Sequence, residues 1–239
     1  MPLFLPAYKS FQHYHLPHHS YCTVQPDKLN RAEAMKDPNK KPIYDLDLPT
    51  EFEAWLFSSN PLTRLCFLFL QVFLYSIRPM VLSPKPLVLE DLLGGLVQAL
   101  YIGSAVHFGG WGCLLYLLCA AILGSGLHVA AMHFVAEHYL LTPETAYTSD
   151  PTAVQDTFSY YGPINYTLYN GGYHVEHHDF PRVGWKSLPR LREIAPEFYD
   201  TIPYHTSYLE VMARFVFNHP GLWQRVKRHD RVKESSGPQ

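Results

Sequence analysis

The sequence predicts an all-α fold: an integral membrane helical hairpin, with cytosolic helices that carry a histidine-rich site. Three observations predict it. Residues 92–108 and 111–127 are apolar and free of formal charge, and Gly109 and Gly110 stand between them, the pattern of two helices joined by a bend. The string H-x-x-H-H occurs twice, as His15, His18, His19 and as His174, His177, His178. Hydrophobic residues at 47% and aromatics at 15% exclude a disordered chain.

Charge and cysteine content narrow the classes further. A formal net charge of −2 offers no basic field, so nucleic acid is excluded as a partner. The 4 cysteines form no C-x-x-C pair. Cys66, Cys113 and Cys119 lie in apolar stretches, so no disulfide framework is implied. The first residues are apolar only briefly and are broken by Pro2 and Pro6, which does not read as a signal peptide.

Along the chain, residues 20–50 are polar and proline-punctuated, an exposed connection with a helical turn around 31–35. The apolar run 62–77 is interrupted by Arg64 and Gln71 and closed by Arg78 and Pro79. At about 15 residues it is short for a span, and it reads as an interfacial or buried helix. The chain is reset at 83–86. Each hairpin arm, about 17 residues, sits at the short limit of a crossing, relieved if the second arm extends to 134. The expected hairpin is therefore 92–134. A buried hairpin in a soluble core is the competing reading, since overall hydropathy is near neutral.

A hairpin returns its ends to one side, so both histidine strings share an aqueous face. On a helix, positions i, i+3 and i+4 lie on one face about 5–6 Å apart. Each triad can thus aim three imidazoles at one small volume, and six such nitrogens invite two metal ions. Imidazole alone does not choose among Zn, Cu, Fe and Ni. The bland alternative is a set of solvated surface histidines. A further class, a helical membrane protein handling zinc or protons, lacks an intramembrane-charge signature.

The strings FQHYHLPHHSY (11–21), DLDLPTEFEAWLF (45–57), RPMVLSPKP (78–86), GLHVAAMHFVAEHYL (126–140), SYYGPIN (159–165) and GGYHVEHHDFP with KSLPRLREIAPEFYD (171–181, 186–200) resemble the membrane fatty-acyl desaturase superfamily, in its sphingolipid Δ4-desaturase (dihydroceramide desaturase) branch. The resemblance covers nearly the whole chain, as one desaturase domain over 1–239. It departs from the family in lacking the H-x-x-x-H first box, so the chain looks like the C-terminal two-thirds of a desaturase. Pro17 inside the second box restricts Leu16, and 142–157 looks longer than the family's loop.

The resemblance implies metal ligands at His15, His18, His19, His174, His177 and His178, with one further histidine, for which His133 is favoured. His128 and His138 lie five residues to either side, about 140° around a helix, so only one of the three can face the site. Glu137, Glu176 and Asp179 are candidates to orient ligands. Tyr160, Tyr161 and Tyr173 could line a pocket, though packing is the commoner reason for tyrosine. His107 reads as a hairpin-end residue, and His205, His219 and His229 as surface. The implied cofactor is a di-iron (Fe) centre using O2 and electrons from cytochrome b5 or its reductase system. The implied substrate is a dihydroceramide-type lipid, desaturated to a trans C4–C5 double bond with hydroxylation as a side outcome, in a multi-pass endoplasmic reticulum membrane protein whose metal site faces the cytosol. Absence of the first box leaves a second expectation, an inactive membrane metal-binding remnant. The basic run 225–233 would suit anionic headgroups, or is a solvated end. The sequon at 165–167 is discounted because it shares the metal-site face.

Overall fold

The computed structural model of the chain describes Tyr14, His15, His18, His19, residues 47–139, Gln155, and residues 157–218 and 221–225. The expected turn at 31–35, most of the 142–157 insertion, Cys22, His219, His229 and the basic run beyond Arg225 lie outside these residues. Tyr14, His15, His18 and His19 are helical. The architecture is all-α; among the described residues the only β contacts are two isolated bridges, Tyr139 with Arg225 and Tyr160 with His205.

Helix α1, Glu51–Phe57, starts at a capping box. Thr50 Oγ1 accepts from the Glu53 N–H and Glu53 Oε2 accepts from the Thr50 N–H, satisfying two donors that a helix start leaves open. Helix α2, Pro61–Leu82, begins the same way, with Asn60 and Thr63 exchanging bonds and Pro61 in the first turn. It is longer than its apolar run suggests. Pro79 lies inside it rather than ending it, and a proline so near the last turn removes only one bond. At 22 residues α2 is long and apolar enough to cross a membrane. One face is nevertheless buried in the protein, through Phe67, Leu68, Gln71, Val72, Arg78 and Pro79.

Helix α3, Leu89–Ser125, covers the expected hairpin and is broken at Gly110, φ 70° and ψ −179°. That conformation is open essentially only to glycine. No residue of α3 is buried against the other described residues, which leaves Leu92, Leu96, Leu100, Trp111 and Leu115 exposed. The soluble-core alternative requires burial, so it is excluded. An apolar surface this long needs lipid around it, and the protein is a membrane protein. The helix stops at Ser125, short of the expected 134, because the chain turns at Gly126, whose Cα lies so close to α2 that a Cβ there would stand 2.6 Å from the Leu68 carbonyl oxygen. Gln71 of α2 donates to the carbonyls of Ser125 and Gly126 across this junction.

A 3-10 turn, Val129–Met132, leads into α4, His133–His138. After Tyr160 come a 3-10 turn, Pro163–Leu168, then α5, His174–Asp179, α6, Leu188–Ile194, α7, Pro196–Tyr199, and α8, Tyr208–Ala213, which continues as a π turn. The core gathers Ala54 and Phe57 of α1, Phe67 and Leu68 of α2, Met132, Val135 and Ala136 near α4, and Tyr208, Val211 and Phe215 from the α8 region. Tyr160 stacks on Tyr208 with ring centroids 3.8 Å apart. Arg225, first of the basic run, is buried and paired with Glu51 at 2.7 Å, so it is no solvated end.

Candidate metal centre

Helix α5 is only 6 residues long, so its orientation comes from what precedes it. Tyr169 and Asn170 both adopt positive φ, 51° and 58°, which turns the chain back on itself before Gly171 and Gly172. The Asn165 carboxamide bridges the turn, accepting from the Gly172 N–H at 2.8 Å and donating to the Tyr160 carbonyl. A Cβ at Gly172 would fall 2.2 Å from Asn165 Oδ1, so the close approach requires glycine. Asn165 is buried in this role, consistent with discounting its sequon.

One face of α5 is anchored and the other is freed. Glu176, fully buried, accepts from Ser159 Oγ at 2.7 Å and from the Tyr161 hydroxyl at 2.8 Å. Burial pushes its carboxyl above the usual carboxylate range, against the pull of these bonds. Ser159 Oγ also accepts from the Val175 N–H. Glu176 therefore holds the helix rather than orienting an imidazole. Asp179 likewise accepts from Tyr199. Tyr160, Tyr161 and Tyr173 are not among the residues lining the central cavity.

The freed face meets the other histidines in two groups. The first is His18, His138, His174 and His178, all buried; the second is His15, His19 and His177. His138 Nε2 stands 3.0 Å from His18 Nε2 and 3.0 Å from His174 Nε2, which is 3.0 Å from His178 Nε2. In the second group His15 Nε2 and His19 Nε2 are 2.8 Å apart, and the His19 and His177 ring centroids are 4.5 Å apart. All six histidines of the two strings thus come together, with His138 as a seventh.

His133, favoured as the extra member, is in neither group. Its Nδ1 pairs with Glu137 Oε1 at 3.0 Å and its ring lies against Phe134. His138 stands with the other histidines instead, because α4 presents its last residue, not its first, to the convergence point. His128 accepts the Ala130 N–H at the start of the 3-10 turn, and His107 is exposed at the hairpin end. His205 is buried, not surface, with Nε2 donating to the Ala136 carbonyl at 3.1 Å.

Donor chemistry fits a cation. An Nε2 carries either one hydrogen or one lone pair. His174, with two Nε2 neighbours at 3.0 Å, can satisfy at most one of them by hydrogen bonding, and so can His138 if it is a donor. An ion accepting all four lone pairs resolves the conflict. Donors about 2.1 Å from one ion stand about 3.0 Å apart at a right angle, which matches these separations. Burial, then neighbouring imidazoles, hold His174 and His178 well below the usual histidine range. The same causes lower His19 to about 3 and also depress His177. Neutral imidazoles with free lone pairs are what metal binding needs.

Carboxylates stand behind the imidazoles. Glu137 Oε1 is 3.5 Å from His174 Nδ1, and Asp47 Oδ2 is 2.6 Å from His15 Nδ1. Asp47, in the acidic segment after the first triad, escaped sequence reasoning. So did the buried pair between Arg78 and Glu53, 2.8 Å apart. A cavity of about 350 Å³ lies between the histidines and the inner face of α2, where Phe67, Gln71, Tyr75 and Arg78 form one wall and Leu168, Trp185 and Leu188 another.

Residues 1–208 match the family model for fatty acid desaturases. The chain belongs to the fatty acid desaturase family. Its relatives include sphingolipid desaturases. It is 40% identical over 231 residues to the sphingolipid delta(4)-desaturase/C4-monooxygenase DES2 of Rattus norvegicus, covering 95% of this chain and 62% of that protein. It is 40% identical to the sphingolipid delta(4)-desaturase DES1 of Drosophila melanogaster, covering 97% and 64%, and 34% identical to DES1 of Homo sapiens, covering 97% and 63%. The chain spans a little under two thirds of the length of these desaturases. No solved structure matches it.

Proposed function

We propose that the chain acts as a single sphingolipid desaturase domain, carrying out O2-dependent, di-iron desaturation of the sphingoid chain of a dihydroceramide to a ceramide. The product has a trans C4–C5 double bond, with C4 hydroxylation as a second outcome. The convergence of seven histidines from three separate segments into two groups carries this reading. The relatives' activity as sphingolipid delta(4)-desaturases supplies its substrate class.

His18, His138, His174 and His178 would hold one ion, and His15, His19 and His177 the other. Iron held there would activate O2, the oxidant that removal of hydrogen from an unactivated chain demands, with electrons from the donor completing its reduction to water. The chain's own contribution is separate. Burial keeps His19, His174, His177 and His178 neutral, and Glu137 fixes the His174 ring from behind. The apolar wall of Phe67, Leu168, Trp185 and Leu188 suits a hydrocarbon chain, and its closeness to the histidines positions one carbon for attack. Cytochrome b5 as electron donor, the endoplasmic reticulum membrane as the location and a cytosolic metal face complete the proposal.

A second reading, a membrane metal-binding protein that turns over nothing, draws on the asymmetry of the groups: four imidazoles in one and three in the other. One experiment separates the two. The chain is expressed in cells that lack Δ4-desaturase activity, and purified protein is assayed for iron while cell lipids are assayed for ceramide by mass spectrometry. Two irons per chain with ceramide formation supports desaturation. Bound metal without conversion supports the second reading, and a metal-free protein rejects both.

A further inference from the structure

His15 and Asp47 lie 32 residues apart, yet their side chains meet at 2.6 Å between Nδ1 and Oδ2 and are only 15% and 7% exposed. An ionised carboxylate accepts and cannot donate, so the hydrogen between them belongs to His15 Nδ1. That tautomer leaves a lone pair on Nε2, the atom that stands 2.8 Å from His19 Nε2 within the three-imidazole group. We propose that Asp47 is a positioning residue of that group: it holds His15 in the Nδ1–H tautomer with Nε2 aimed at the ion. The proposal rests on the metal-centre reading above and deepens it.

Asp47 is itself held. Its carbonyl accepts from Arg78 Nη1 at 3.0 Å. Arg78 Nε bonds both Glu53 oxygens, at 3.0 and 2.8 Å, and its Nη2 bonds Oε1 at 2.8 Å. Glu53 in turn closes the capping box on Thr50. The start of α1, the last turns of α2 and the Asp47 backbone therefore form one buried scaffold. Asp47 also falls within 4.8 Å of a donor atom on His18, but its 2.6 Å bond is to His15, so it acts on the three-imidazole group. The arrangement parallels Glu137 behind His174, one carboxylate for each group. Such carboxylates fix the ring and raise its basicity toward a metal.

The test is a titration of the metal-free full chain in detergent with Co²⁺ alone, read by calorimetry and by the visible spectrum of the bound ion. Wild type is expected to take up two ions. Asp47→Ala should weaken one of them by about ten- to a hundredfold and leave the other unchanged. Asp47→Asn, which keeps an acceptor for Nδ1–H, should recover most of the loss. The proposal is overturned if Asp47→Ala leaves both affinities unchanged, or weakens both equally, as a general support of the fold would. It is also overturned if Asp47→Asn is as weak as Asp47→Ala, the behaviour of a direct ligand. If wild type binds a single ion, the three-imidazole site falls, and the proposal with it.

Discussion

His133 and His138 sit at opposite ends of one short helix, and their surroundings assign them different work. His138 Nε2 has two imidazole nitrogens at 3.0 Å, whereas His133 has a carboxylate and a phenyl ring. His138→Ala should therefore abolish uptake of one metal ion per chain, a larger loss than the about ten- to hundredfold of a residue that only supports a ligand. His133→Ala should keep both ions, with affinity lowered about tenfold at most. Metal content of the two purified variants, measured by plasma emission, checks this; equal losses would return His133 to the site. The contrast marks how far residues are legible in the sequence. The two triads could be read because i, i+3, i+4 spacing is local. Choosing among His128, His133 and His138 was beyond periodicity, which says only that they diverge. The choice turns on a 3-10 stretch giving way to α-helix at His133, and that is set by packing of Met132 and Val135 into the core. Asp47 was illegible for the same reason, since its partner is distant in sequence.

At the scale of elements, the clamp between α1 and α2 is a charged pair out of contact with water. Glu53 and Arg78 are each 7% exposed. Burial alone would raise the Glu53 carboxyl, but the bonds and charge of Arg78 hold it below the usual range. Removing one partner strands the other charge, so Glu53→Ala should destabilise the fold by about 3–5 kcal/mol, while the double variant Glu53→Leu with Arg78→Met should recover much of that. Thermal unfolding in detergent compares them, and an additive double variant would show that the pair does not act as a unit. His205 gives this scale a pH signature. It links the 159–161 segment to α4, with its N–H donating to the Ser159 carbonyl and its ring to Ala136. Burial, with help from Arg214, lowers its pKa to about 4 despite the bond to Ala136. The unfolded chain binds a proton from about 6.5 downward, so the stability His205 provides is complete above that pH and is lost as pH falls toward 4. At full extent the loss is about 3 kcal/mol. The drop in melting temperature between pH 7 and pH 4.5 should be smaller in His205→Gln than in wild type; equal drops would refute the assignment. As an isolated histidine without a motif, His205 reads as surface, and only the tertiary fold reveals its burial.

For the molecule as a whole, the decisive question is where the hairpin goes. The arm 89–109 would run about 31 Å and the arm 111–125 about 22 Å at 1.5 Å per residue, against a hydrocarbon core of about 30 Å. The first arm suffices. The second falls short, because the chain turns at Gly126 against α2 instead of continuing toward 134. A short arm is accommodated by local thinning of the bilayer and by interfacial anchors, at a modest cost per ångström. Trp111 and His107 beside the bend suit such an interface, being exposed and amphipathic. The bend should therefore reach the far aqueous surface, with the start of α3 and both histidine strings on the near one. Single cysteines at Lys85, Gly112 and Thr206 in a chain whose four native cysteines are replaced by alanine report this directly in sealed membrane vesicles of uniform orientation. A membrane-impermeant maleimide should label 85 and 206 from one side of the membrane, and 112 only after the vesicles are opened. Labelling of all three without opening would mean that the hairpin enters and leaves the same leaflet. The two triads would still share a face in that outcome, since both ends of the hairpin would still emerge together, but the two-crossing topology would be lost.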